Sequence, residues 1–184
     1  MAILSDKERA AIQALPLGRI RRAEALINPA SGLANDYLNL FNEIVMLVEQ
    51  LPTMPELFDD IQRWRPIPYR DYFQQSVLPG RGSALAAYDA LDAKFRREFE
   101  SVVAELDRRA TGGVAAVRRQ FKAHGVEGDQ FGLATVCERA GATIREVLDQ
   151  ATSLVNHGAI VASDQVQDRT DKLFARLTPP PNAI

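Results

Sequence analysis

Apolar side chains recur at helical spacing in three long stretches of this chain. Over 133–155, Leu133, Val136, Cys137, Ala140, Ile144, Val147, Leu148, Ala151, Leu154 and Val155 share one narrow face, and the phase runs unbroken through Gly141. That spacing predicts one continuous helix. Leu85, Tyr88, Leu91, Phe95, Phe99, Val102 and Leu106 step by three or four, predicting a second helix from Ser83 to about Ala110, stopped by Thr111, Gly112 and Gly113. The third stretch, NDYLNLFNEIVMLVEQ (35–50), places Tyr37, Leu40, Phe41, Ile44, Leu47, Val48 and then Leu51 on one side and Asn35, Asp36, Asn39, Asn42, Glu43, Glu49 and Gln50 on the other. Pro52 ends it.

Shorter elements fill the intervals. Ser5 with Glu8 is a capping-box pattern for a first helix, which Pro16 interrupts ahead of the basic segment GRIRRAEALI. Asn28, Pro29 and Ser31 break the chain, and Thr53 with Glu56 opens a helix over 54–64. Three prolines and two glycines in 65–82 predict an ordered loop with one helical turn near 70–76. VAAVRRQFKAH forms a short helix ending at Gly125, and Ser163 with Asp164 caps a last helix carrying Val166, Leu173, Phe174 and Leu177. No run alternates as a strand does. The expectation is an all-α antiparallel helical bundle of about six to seven helices, three of them long, in one domain over 1–178 with a loose Pro-rich tail at 179–184.

Composition narrows the function classes. A formal net charge of -2 and a pI near 5.7 give no overall attraction to phosphate, so nucleic acid is disfavoured as a partner; a binder would rely on Arg19, Arg21 and Arg22 with Arg118, Arg119 and Lys122. The single Cys137 excludes an intrachain disulfide, and no apolar run reaches membrane-helix length, so no membrane partner is expected. Charged residues come too early at the N-terminus for a signal peptide, which gives the expectation of a cytoplasmic protein. Arginine outnumbers lysine 18 to 4, a bias that fits a GC-rich bacterial genome.

Familiar catalytic signatures are missing. Both histidines occur as His-Gly, His124-Gly125 and His157-Gly158, where a cationic side chain and a left-handed glycine close a helix. Cys137 lies within an apolar stripe and reads as a buried hydrophobe. GRGSALA (80–86) opens a helix after glycines but lacks the lysine and preceding strand of a phosphate loop. No cofactor is implied.

The polar side of 35–50 is the sharpest feature, because asparagine weakens helices and an ordinary wet face favours Glu, Lys and Arg. Between Arg22 and Arg63 there is no basic residue, while Glu24, Asp36, Glu43, Glu49, Glu56, Asp59 and Asp60 supply seven negative charges. WRPIPYRDYF (64–73) follows, with four aromatics and two arginines, the residue types of interface hot spots. The plainer reading folds those rings onto the core and lets Arg65 and Arg70 neutralise Asp36, Glu43 or Asp59. The expectation is a non-enzymatic interaction or regulatory module that recognises a protein partner, or a second copy of itself, through Asn35, Asp36, Asn39, Asn42, Glu43, Trp64, Arg65, Tyr69, Arg70 and Tyr72. The alternative is a metal- or small-ligand-binding bundle, open to catalysis, that uses Asp36, Asn39 and Glu43.

Overall fold

Proline and aspartate set the element boundaries, and the apolar stripes set what packs on what. The computed structural model describes residues 27–160, apart from the side chains of Val126 and Glu127. Among the described residues the chain is all-α, with six α-helices, two 3-10 turns and no strand. A 3-10 turn at Asn35–Leu38 leads into α1 (Asn39–Gln50), which buries Phe41, Ile44, Val45, Leu47 and Val48. The helix expected over 54–64 divides into a 3-10 turn, Pro55–Leu57, opened by Pro55 at a position where no backbone donor is needed, and α2 (Phe58–Arg63). The expected turn near 70–76 is α3 (Tyr69–Gln75).

The predicted helix from Ser83 to Ala110 is corrected. It is two helices, α4 (Arg81–Asp89) and α5 (Ala93–Gly128), parted at Ala90–Asp92. The apolar phase crosses the break, but the Asp92 carboxylate accepts hydrogen bonds from the Lys94 and Phe95 N–H groups and starts a new helix. The stop expected at Thr111, Gly112 and Gly113 is also corrected, since α5 runs through all three. A Cβ built on Gly113 would lie 3.1 Å from the Ala140 Cβ, so this glycine lets two helices approach closely, whereas one on Gly112 would meet nothing within 4 Å. The break comes at Gly125, where the His-Gly pattern placed it, but with φ 63° and ψ -164° the glycine takes a positive-φ extended conformation and not the left-handed cap expected there.

Asp129 accepts the Gly132 N–H and caps α6 (Gln130–His157), which continues through Gly141 as its stripe predicts. Gly158 closes it with φ 70°, its N–H donating to the Leu154 carbonyl. α5 and α6 are antiparallel, for Arg109 meets Glu146 while Gln120 meets Asp129. α1 lies along α6 in the opposite sense. Asn35 reaches Asn156 at one end, and at the other Arg145 grips Glu49 beside Gly141, where an added Cβ would come within 2.9 Å of Glu49 Oε1. Phe99 and Leu106 of α5, Phe41 and Ile44 of α1, and Leu133, Ile144 and Leu154 of α6 are fully buried. The elements expected around Ser5 and Glu8, the segment GRIRRAEALI up to Leu26, the helix of Leu173 and Phe174 and the tail at 179–184 lie outside the described residues. No helix among the described residues is long and apolar enough to cross a membrane.

The two neighbouring glycines of α5 are expected to respond in opposite directions. Gly113→Val should lower stability by about 1–3 kcal/mol through overpacking against Ala140, and Gly112→Ala should raise it by about 0.5–1 kcal/mol through helix propensity. Thermal melts of the two variants check this, and similar shifts in both would contradict the close approach at Gly113.

Candidate functional site

Trp64, Tyr69 and Tyr72 turn inward because each carries a polar atom that finds a backbone partner on the segment around α1, and the apolar Phe73 is buried with them. The buried Trp64 donates its indole N–H to the Leu40 carbonyl at 3.1 Å. Tyr72 donates to the Asp36 carbonyl at 3.0 Å, Tyr37 donates to the Ile67 carbonyl at 3.1 Å, and the Ala34 N–H donates to the buried Tyr69 hydroxyl at 3.0 Å. Pro66 and Pro68 hold the connecting backbone extended, and their missing N–H groups leave fewer donors to satisfy. Trp64 and Tyr69 are therefore core residues.

Arg65 and Arg70 are exposed but do not neutralise the acidic face as the plainer sequence reading expected. Arg65 donates to the carbonyls of Gln62 (2.8 Å) and Trp64 (2.6 Å) at the C-terminal end of α2, and Arg70 pairs with Asp89 of α4. Arg118 also serves α2, donating to the carbonyls of Ile61 and Gln62 at 2.7 and 2.6 Å, where a cation meets the negative end of the helix. Its guanidinium is thus committed to the fold.

The asparagines separate into two roles. Asn35 and Asn28 both donate side-chain amides to Asn156 Oδ1, at 3.2 and 3.3 Å, and Ser31 donates to the Val155 carbonyl at 2.5 Å. These contacts fasten the turn before α1 to the end of α6. Asn39, Asn42 and Glu43 are exposed on α1, and Met46, 47% exposed, continues their face. Asp36 and Tyr72 are half-buried beside it. The Tyr72 phenol is shifted upward by burial first, then by the carboxylates of Asp36 and Glu43, so all three groups share one neighbourhood. Ile67, Tyr72, Gln75, Ser76, Val77 and Leu78 line an adjoining cavity of about 410 Å³, with Val77 95% exposed at its edge.

Among the described residues, no group of three or more His, Cys, Asp or Glu could hold a metal ion, so Asp36 and Glu43 gain no third such ligand from another element. Burial pushes the Cys137 thiol up to about 11 and the Tyr69 phenol up to about 12, the latter opposed by the Ala34 N–H, and both stay protonated at neutral pH. Neither is a ready nucleophile or base.

Sequence reasoning passed over two features. Gly112, Gly113 and Ala116 of α5 face Thr135, Val136 and Ala140 of α6 across a groove of about 600 Å³ whose rim carries Arg108, Arg109 and Arg139. The glycines read as a helix stop concealed it. The second is Asp107, whose Oδ1 is covered from solvent and accepts no hydrogen bond among the described residues, so burial raises its carboxyl to about 6. A signal for it was present: no Lys or Arg stands three or four residues away on either side, where a helix would supply a partner.

No protein-family model, curated protein or solved structure matches the chain.

The raised carboxyl of Asp107 gives stability a pH dependence of definite sign. From its ordinary value of 3.8 up to about 6 the unfolded chain has released this proton while the folded chain keeps it, so this group's contribution falls as pH rises through that window. Asp107→Asn is expected to remove that fall and to raise stability at pH 7 by about 1–2 kcal/mol, after discounting for solvent screening of a half-buried group. Denaturation at several pH values checks it, and parallel curves for the two proteins would contradict an uncompensated carboxylate.

Proposed function

We propose that the chain is a non-catalytic recognition module whose α1 face takes a basic segment of a partner protein. The observation that carries this reading is the surface formed by exposed Asn39, Asn42 and Glu43 with half-buried Asp36 and Tyr72, next to a cavity edged by the almost fully exposed Val77. Exposed amides supply directional donors and acceptors, the carboxylates supply the charge, and the cavity receives an apolar side chain. No cation lies between Arg22 and Arg63 to compete for that charge within the same stretch. Charge complementarity of this kind acts mainly on association rate and on the choice of partner. Trp64 and Tyr69 support the surface from beneath by fixing α1 and the 64–73 segment to each other.

The test uses defined probes: a fluorescent peptide of alternating Arg and Leu and its Glu-Leu counterpart, followed by anisotropy with the whole chain. The basic peptide should bind, weaken as salt is raised, and lose about tenfold in affinity to Glu43→Lys while Glu98→Lys on α5 has little effect. Equal binding of the acidic peptide, or indifference to Glu43→Lys, contradicts the proposal. Light scattering that shows a dimer dissociated by Glu43→Lys would assign the surface to a second copy of the chain instead.

A further inference from the structure

A second site is independent of the α1 face. Between α3, α4 and α5 lies a cavity of about 320 Å³, within the lower range for small-molecule sites, walled by Tyr69, Tyr88 and Phe99. The Tyr69 and Tyr88 rings are stacked with centroids 4.6 Å apart, and Phe99 stands edge-on to Tyr69 at 5.6 Å. Val103 and Ala104 of α5 form the floor, and two carboxylates of the same helix stand on either side of them. Glu100 is at the exposed end, accepting the Tyr88 hydroxyl at 2.7 Å, and Asp107 is at the covered end. Glu100 and Asp107 are two turns apart on one face, about 10 Å along the axis at about 1.5 Å per residue.

The charges around the cavity are unequally answered. Arg70 at the rim pairs with Asp89, Arg96 acts on Tyr88, and Asp71 of α3 adds a third, exposed carboxylate to the lining. One oxygen of the half-buried Asp107, Oδ1, is covered from water and has no donor among the described residues, an opening for a positive group from outside the chain. The largely apolar lining of Val103, Ala104, Tyr69, Tyr88 and Phe99 favours an ammonium carried on an apolar body over a hydrated metal ion. Two carboxylates this far apart cannot share one ammonium group, but each can hold one end of a molecule that carries two.

We propose that this cavity binds a short unbranched diamine, one ammonium against Asp107 and the other against Glu100, with its methylenes over Val103 and Ala104 and against the rings of Tyr69 and Tyr88. The whole chain is titrated with putrescine, and with butylamine as its singly charged counterpart, by calorimetry and amide NMR shifts. Putrescine should shift the Val103, Ala104 and Asp107 amides saturably, and butylamine should bind at least about tenfold more weakly. Asp107→Asn and Glu100→Gln should each reduce putrescine affinity by about tenfold or more while melting as folded proteins. No saturable shift, equal affinity for butylamine, or undiminished binding in both folded variants would overturn the proposal.

Discussion

Four hydrogen bonds between the 64–73 segment and the backbone around α1 determine what this molecule presents to solvent. Trp64 to Leu40, Tyr72 to Asp36, Tyr37 to Ile67 and Ala34 to Tyr69 join side chains on each side to main chain on the other, so neither segment is placed without its neighbour. Each adds only about 0.5–1.5 kcal/mol net, but losing one partner from a buried pair costs about 1–3 kcal/mol, which is why the rings turn inward. Tyr37 sits among Phe41, Tyr69, Tyr72 and Phe99 with ring centroids between 5.1 and 6.4 Å, so the same side chains close the core. The amide and acid face of α1 and the cavity beside Tyr72 are left facing water, together with Arg65, Arg70 and Asp71.

The α5–α6 pair gives this arrangement a rigid support. Gly113 brings the two helices close, Asp129 joins them, and Arg109 bridges Glu105 and Glu146 at 2.6 and 2.7 Å. α1 lies against α6 through the Glu49–Arg145 pair, and the Asn28, Asn35 and Asn156 cluster pins the turn that precedes it. The exposed ion pairs add little stability in water, so the register rests on the buried stripes and the glycine contacts. The acid and amide face, the diamine cavity and the arginine-rimmed groove are thus three chemically distinct surfaces on one frame.

Burial periodicity made the long elements legible, and tertiary contacts account for what was missed. The stripe of α6 read correctly through Gly141 because that glycine stays in phase, and its missing side chain makes room for Glu49. The same logic failed at Gly112 and Gly113, where the local preference of glycine pointed to a stop while Gly113 packs on Ala140, far along the chain. At Leu91 the apolar phase concealed a break that Asp92 dictates through a cap. In the candidate site, the unusual asparagine content was visible, but the division of labour was not. Asn35 depends on Asn156, 121 residues away, whereas Asn39 and Asn42 remain on the surface. The aromatic content of 64–73 was equally plain, yet inward and outward readings differ only in whether Leu40, Asp36 and Ala34 offer backbone partners, which spacing does not encode.

Native-state hydrogen exchange at the Ala34 amide, compared between the parent chain and Tyr69→Phe, tests this interlock most directly. If the phenol holds the turn to the 64–73 segment, Ala34 exchanges slowly in the parent and loses its protection in Tyr69→Phe, while amides of α6 between Leu133 and Val155 keep theirs. Equal exchange of Ala34 in the two proteins would mean that the segment is held by ring packing alone and that the hydroxyl has no part in fixing the α1 surface.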